Sequence, residues 1–437
     1  MSLQRAFRFL GKKDCPARRW LLGMVVAQCL TRGALAQRTY TWQEIRDRFL
    51  AVNPTLLAGQ INVNESRAQE ITAYLRPNPD FTLATDGTQL TPSQGVWRPF
   101  AGTQFSPSVS YLHERGHKRE LRLESAQKGT ALAQFQQTDL ERNMIFNLHN
   151  AFVQTLQAKA VLALAQENLA YYDQVLSVSS DRLKAGDIAQ VDFDRLEVQR
   201  IQYETDVQTS TVTVRTAKIQ LLTLLNDRTP VEQFDVSGPF ENFTEPVLLL
   251  DELHTIALAT RPDLQAAAQS VNKAQTDYRL AYANGSADTT FGMWWTHNPS
   301  FNNPYDYNTI GANVSIPLRI FDRNQGEKAR TQLDISRAQR LRDANEVQVF
   351  SDVDSAYATL TSNLELVRRY KLNYLTRAAK VRDTIAFSYQ RGGASLLDFL
   401  NAQGDYRTVR LNYLNLVGSF MTAANQLNLA VGREVIP

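Results

Sequence analysis

At 437 residues the chain has room for two or three ordinary domains, so repeats must be sought before it is divided. Hydrophobic residues make up 43% and charged residues 21%, the balance of a folding protein, which excludes a mainly disordered chain. A mean hydropathy of -0.33, with no long apolar run after the N-terminus, argues against membrane-spanning helices but leaves β-strands open.

Residues 1–36 read as an export signal. Arg5, Arg8, Lys12, Lys13, Arg18 and Arg19 precede the apolar run Trp20 to Ala27, and Ala34-Leu35-Ala36 fits a signal-peptidase site. Arg18-Arg19 fits a twin-arginine signal poorly, and Gln28 makes Cys29 a poor lipid-attachment cysteine. Removing this segment takes away seven Lys/Arg and one Asp, turning a formal charge of +3 into −3. The basic balance therefore belongs to the signal and implies no nucleic-acid partner. Cys15 and Cys29 leave with it, so the mature chain has no disulfide or thiol chemistry.

Thr41-Trp42-Gln43-Glu44 has the form of a capping box and predicts a helix to about Val52, halted by Asn53-Pro54. A second helix is predicted to about Leu75, before Pro77 and Pro79. Alternation predicts strands over 80–90 and 104–113, separated by a loop rich in Pro and Gly. From Arg119 to Asn226 there is no proline, and Leu162, Leu169, Leu176 and Leu183 recur at heptad spacing, a coiled-coil seam. The part before Gly186 would be roughly 100 Å long as a helix. Residues 227–247 read as an irregular linker.

The programme then restarts. Ala259 to Leu264 repeats the pattern of Ala51 to Leu56, and alternating stretches at 287–297 and 308–317 predict two more strands. A proline-free run from Leu318 to Ile436 carries Val353, Leu360, Val367, Tyr374 and Val381 in heptad steps. The chain is thus two repeats, 37–247 and 248–437. Each holds a tip between long helices, Arg182 to Phe193 and Tyr389 to Leu400, with glycine for the turn and an aspartate, Asp192 or Asp398, opening the next helix. Four strands are too few to close a barrel, the only β form a bilayer accepts, so strands must be pooled between copies of the chain.

With these features the mature chain resembles the TolC family of outer-membrane efflux proteins. The likeness rests on the duplication, the two glycine-to-aspartate tips, and the corner Ser315-Ile316-Pro317-Leu318-Arg319-Ile320-Phe321-Asp322-Arg323-Asn324-Gln325-Gly326, which is most similar to the metal-efflux (CzcC-like) branch. Pro317, Phe321, Asp322, Asn324 and Gly326 carry that corner. The resemblance implies a mainly α protein with a membrane β-barrel: a homotrimer whose twelve strands sit in outer-membrane lipid above an α-helical periplasmic tunnel. It implies docking to a periplasmic adaptor and an inner-membrane RND-type pump, with the exported cargo possible as metal, drug or protein. Carried over, the adaptor-docking turns are Lys184, Gly186, Arg391, Gly392 and Gly393, and the gate aspartates are Asp192 and Asp398. Counted from Gly393, the second glycine-to-aspartate spacing is one residue shorter than the first. One helical turn further on, where some relatives have another acid, stand Arg195 and Asn401. The plain alternative for each aspartate is helix N-capping.

His113, His117, His149, His254 and His297 have no metal-ligand spacing and read as solvated surface residues. No nucleophile-base constellation or phosphate loop points to an enzyme, and no cofactor is implied. A periplasmic coiled-coil scaffold without a pore would explain the helices and the signal, but not the duplicated aromatic strand pairs.

Overall fold

A computed structural model describes residues 38–92, 94–100, 102–241, 249–298 and 308–436. The predicted export signal with Cys15 and Cys29, the end of the linker and most of the loop after His297 lie outside the described residues. The chain begins with β1 (Arg38–Tyr40), then α1 (Trp42–Val52) and α2 (Pro54–Tyr74). Thr41 and Glu44 close the capping box, the Thr41 N–H donating to Glu44 Oε2 at 2.8 Å. Asn53 ends α1 and starts α2, its Oδ1 accepting from the N–H groups of Thr55 and Leu56 ahead of Pro54 at the first helical position.

Strands β2 (Asp80–Asp86) and β3 (Gln104–His113) lead into α3 (Lys118–Ala185), and α4 (Gln190–Leu224) returns antiparallel to it. At 68 residues α3 spans roughly 100 Å. The second half follows the same plan: α5 (Leu250–Thr260), α6 (Pro262–Asn284), β5 (Thr289–His297), β6 (Asn308–Ser315), α7 (Gln325–Arg369), α8 (Leu375–Gln390) and α9 (Leu396–Val431). The stretch read as a linker contains a missed strand, β4 (Phe234–Val236), which pairs in parallel with β1. Three residues are too few for alternation to register, yet Phe234 and Val236 are fully buried. They join Ile45, Phe49, Leu221, Leu253 and Leu427 in the main core, which draws on α1, α3, α4, α5, α7 and α9.

Both predicted seams need correction. Along the predicted seam of α3 the buried residues include Leu164, Ala165, Asn168, Tyr172, Val175 and Ser179, while Leu162, Leu169, Leu176 and Leu183 flank them half-buried. Small residues occupy several of the tight contacts, and Leu169 and Leu176 pack against the tip cluster from its margin. In the second half Val353, Leu360 and Val367 are buried as expected, but Tyr374 and Val381 are exposed. Between them α7 passes into α8 through a π turn, Tyr370–Tyr374. Such a turn accommodates one extra residue and rotates everything beyond it by about 100° on the helix surface. The seam is therefore re-phased, and Ala386 and Tyr389 become the buried positions.

Candidate functional site

Two regions stand out: a sheet at one end of the chain and a pair of turns at the other. The sheet has the order β2-β3-β5-β6 and is antiparallel throughout. Its outer strands β2 and β6 each keep one edge without a partner strand among the described residues. Register sorts its side chains cleanly. One row runs Phe81, Val109, Met293, Ala312 and another runs Tyr111, Phe291, Val314. On the opposite face the rows are Thr82, Ser108, Trp294, Gly311 and Asp80, Ser110, Gly292, Asn313. The apolar side is open: Phe81 is 70% exposed and Met293 62%. Leaving it to water would be costly, since a contiguous apolar surface marks an interface with lipid or protein. Trp294 and Trp295, adjacent in sequence, point to opposite faces. Trp294, with Leu112 an apolar residue on the polar face, lies across Gly311 so closely that no Cβ would fit there.

Two corners join this sheet to the long helices. After β3 the chain turns through Gly116 and His117, both with positive φ. Lys118, 4% exposed, donates to both oxygens of Asp288 at 2.7 Å and to Ser286 O at 2.9 Å, tying the first repeat to the second. After β6 the turn residue is Asn324, with φ 61°. Asp322 Oδ1 accepts its N–H at 2.8 Å, and its Nδ2 donates to Ala281 O at 2.7 Å. Pro317 lies in the connecting stretch, Phe321 is 90% exposed, and Gly326 is already helical.

At the far end the first tip closes α3 with a Schellman turn. Gly186 has φ 86°, its N–H donates to Leu183 O at 3.0 Å, and the Asp187 N–H donates to Arg182 O at 2.9 Å. The second tip repeats this with Gly392, φ 77°, donating to Tyr389 O at 3.1 Å, and the Gly393 N–H donating to Ser388 O at 2.8 Å. The glycine that corresponds to Gly186 is therefore Gly392 and not Gly393, because only Gly392 takes the left-handed conformation. Counted from it, the spacing to the aspartate is six residues in both tips, and the apparent one-residue difference disappears.

Asp192 and Asp398 both occupy the third position of their helix, after Ala189 and Ser395. Ser395 and Asp398 form a capping box: the Ser395 hydroxyl donates to Asp398 Oδ2 at 2.7 Å and accepts the Asp398 N–H at 3.1 Å. Ala189 can offer nothing of the kind, and Asp192 instead faces Arg195 at 3.7 Å. Capping thus describes Asp398 and fails for Asp192. Within the chain the tips are joined by Arg182, whose Nη1 donates to Tyr389 O at 2.9 Å, above a cluster of Tyr172, Val175, Leu196, Tyr203, Tyr389 and Phe399. Burial pushes the Tyr172 phenol far above its ordinary value, so it stays neutral there.

Two histidines are not solvated as expected. His149 stacks on Trp42 with ring centroids 4.3 Å apart, and burial pushes its imidazole pKa down. His254 Nε2 lies 2.8 Å from Asp354 Oδ1. Periodicity gave no hint of either, because each partner is distant in sequence. Among the described residues no group of three or more His, Cys, Asp or Glu could hold a metal ion, and no helix is long and apolar enough to cross a membrane.

An open antiparallel sheet, apolar on one face and polar on the other, mounted on helices of this length, is a fold this chain shares with solved structures of outer-membrane channels. Residues 253–433 match the model of the outer membrane efflux protein family. The chain is 24% identical over 383 residues to the cobalt-zinc-cadmium resistance protein CzcC of Cupriavidus metallidurans, covering 87% of each protein. It is 22% identical over 299 residues to the outer membrane efflux protein BepC of Brucella suis, covering 67% of this chain and 64% of that one. Among solved structures, CusC superposes with a TM-score of 0.75 at 16% identity, covering 90% of this chain and 92% of that one. VceC of Vibrio cholerae superposes with a TM-score of 0.71 at 15% identity, covering 90% and 96%.

Proposed function

We propose that this chain is the outer-membrane channel of a tripartite efflux system. Three copies would pool their sheets into a twelve-stranded barrel continued by a helical tunnel. The observation that carries this reading is the two-faced sheet with a free edge on each side: only a closed ring satisfies its backbone while turning the apolar face to lipid. The tips, with Lys184, Gly186, Arg391, Gly392 and Gly393, are the docking site for a periplasmic adaptor coupled to an RND-type pump. The cargo is a divalent metal cation, as the name of the CzcC relative suggests for that protein. Asp192 and Asp398 form the cation-selecting ring at the periplasmic mouth, since carboxylate rings draw cations into a narrow pore.

Fractionation tests the channel. The protein should resist a high-salt wash, need detergent for release, and run as a heat-labile trimer on a mild-detergent gel; a salt-released monomer overturns the reading. Single-channel recording tests the ring. Asp192→Ala should weaken block by divalent cations more than Asp398→Ala, because the second carboxylate is already engaged by Ser395. Unchanged block in both removes the gate role.

A further inference from the structure

The apolar alternation of β6 does not stop where its pairing stops. Ile310, Ala312 and Val314 share one face of the strand, and Ile316, Leu318 and Ile320 continue that parity through the unpaired connection to α7. All three are exposed, Leu318 by 80%, and Phe321 follows at 90%. The other strand-to-helix corner, Glu114-Arg115-Gly116-His117, has nothing comparable: it is polar and tied down by Lys118 and Asp288. Within the apolar stretch stand two cations, Arg319 and Arg323. Neither lies within salt-bridge distance of a carboxylate among the described residues, although the Arg319 charge acts on Asp288, and the one contact between them is Arg323 Nε donating to Arg319 O at 3.3 Å.

We propose that residues 316–323 are an interfacial anchor: Leu318, Ile320 and Phe321 enter the membrane leaflet on the helix side of the barrel while Arg319 and Arg323 hold the headgroup of an anionic phospholipid. This rests on the channel reading, which makes the sheet's apolar face lipid-facing. The corner follows directly on that face, turning at Leu318 to Ile320, and two guanidinium groups in no salt bridge among the described residues, beside exposed apolar side chains, match the phosphate and acyl parts of one lipid. The alternative occupant is the neighbouring copy round the ring. That copy's lead-in to β2 is Arg76-Pro77-Asn78-Pro79, whose two prolines lack the N–H donors needed to extend pairing past β6.

The test uses the detergent-solubilised trimer, titrated with dioleoyl phosphatidylglycerol or phosphatidylcholine and read by native mass spectrometry. The wild type should favour phosphatidylglycerol by roughly fivefold per arginine, and an Arg319→Gln/Arg323→Gln double variant should lose that preference while remaining trimeric. In parallel, Phe321→Cys carrying a nitroxide, in a chain whose natural cysteines lie in the export signal, should in liposomes be relaxed more by oxygen than by a water-soluble nickel complex. Equal binding of the two lipids by the wild type, an unchanged preference in the double variant, or a nitroxide reached mainly by nickel overturns the anchor. A double variant that dissociates to monomers without lipid also overturns it and assigns the corner to the contact between copies. A wild type that leaves membranes in salt as a monomer fails the channel reading itself, and is told apart by occurring before any lipid is added.

Discussion

At the first tip, α4 starts on an alanine, its aspartate faces an exposed Arg195, and the following Phe193 is only partly covered. At the second, α9 starts on a serine locked to its aspartate, and the matching Phe399 is 1% exposed, stacked on Tyr389 with centroids 5.0 Å apart. The backbone is the same in both, down to the two Schellman hydrogen bonds and the six-residue spacing. Duplication has kept the chain path, which glycine and the helix termini dictate, and has let the side chains divide their duties. The second tip spends its aromatic and its carboxylate on its own protomer. The first leaves both available to another molecule.

The contrast is sharpest at the two phenylalanines. Phe399→Ala should destabilise the second tip by about 3–5 kcal/mol, because a buried, stacked ring leaves a cavity. The loss should show as lower amide-exchange protection across the ends of α8 and α9. Phe193→Ala should cost the isolated protomer less than about 1 kcal/mol, as its ring is only partly removed from water. Equal losses would break the distinction between a self-sufficient tip and an open one.

A smaller effect separates the paired glycines. Gly392→Ala puts a Cβ into the left-handed conformation and should cost about 1–2 kcal/mol, matching Gly186→Ala in the first tip. Gly393→Ala should be far milder: its φ is not in that region, and the nearest obstacle is the flexible Ser388 hydroxyl. Thermal unfolding of the three variants would show it. A larger loss at Gly393 than at Gly392 would mean that the tips are aligned wrongly.

Much of this architecture could be read from the residues, and the failures have identifiable causes. The helix starts at Thr41 and Asn53 were legible because capping depends on two or three neighbouring residues. The alternating strands were legible for the same reason: their period is short and local. The first seam was misplaced because, beside Leu164, that part of α3 packs through Ala165, Asn168 and Ser179, which heptad leucines do not mark. The π turn at Tyr370–Tyr374 has no sequence signature, yet it alone exposes Tyr374 and Val381. At the tips, two consecutive glycines cannot be told apart until one is seen at positive φ. The unequal capping of the aspartates was, by contrast, open to inspection, since Ala189 and Ser395 stand three residues before them.

That last difference gives a reciprocal experiment of modest size. Ser395→Ala removes the side-chain acceptor for the Asp398 N–H and the donor to its carboxylate, so α9 should lose about 1 kcal/mol at its first turn. Ala189→Ser gives the Asp192 N–H, which already donates to Ala189 O at 3.1 Å, a side-chain acceptor as well and should return part of that amount to α4. It should also draw the Asp192 carboxylate back towards the helix terminus and away from Arg195. The two substitutions therefore move stability in opposite directions, by amounts that amide exchange at Asp192 and Asp398 can resolve. If divalent block follows the free carboxylate, Ala189→Ser should weaken it without removing any charge, which no change in net charge at the mouth could explain. A block untouched by Ala189→Ser, with exchange slowed as expected, would show that the two tips differ in stability alone.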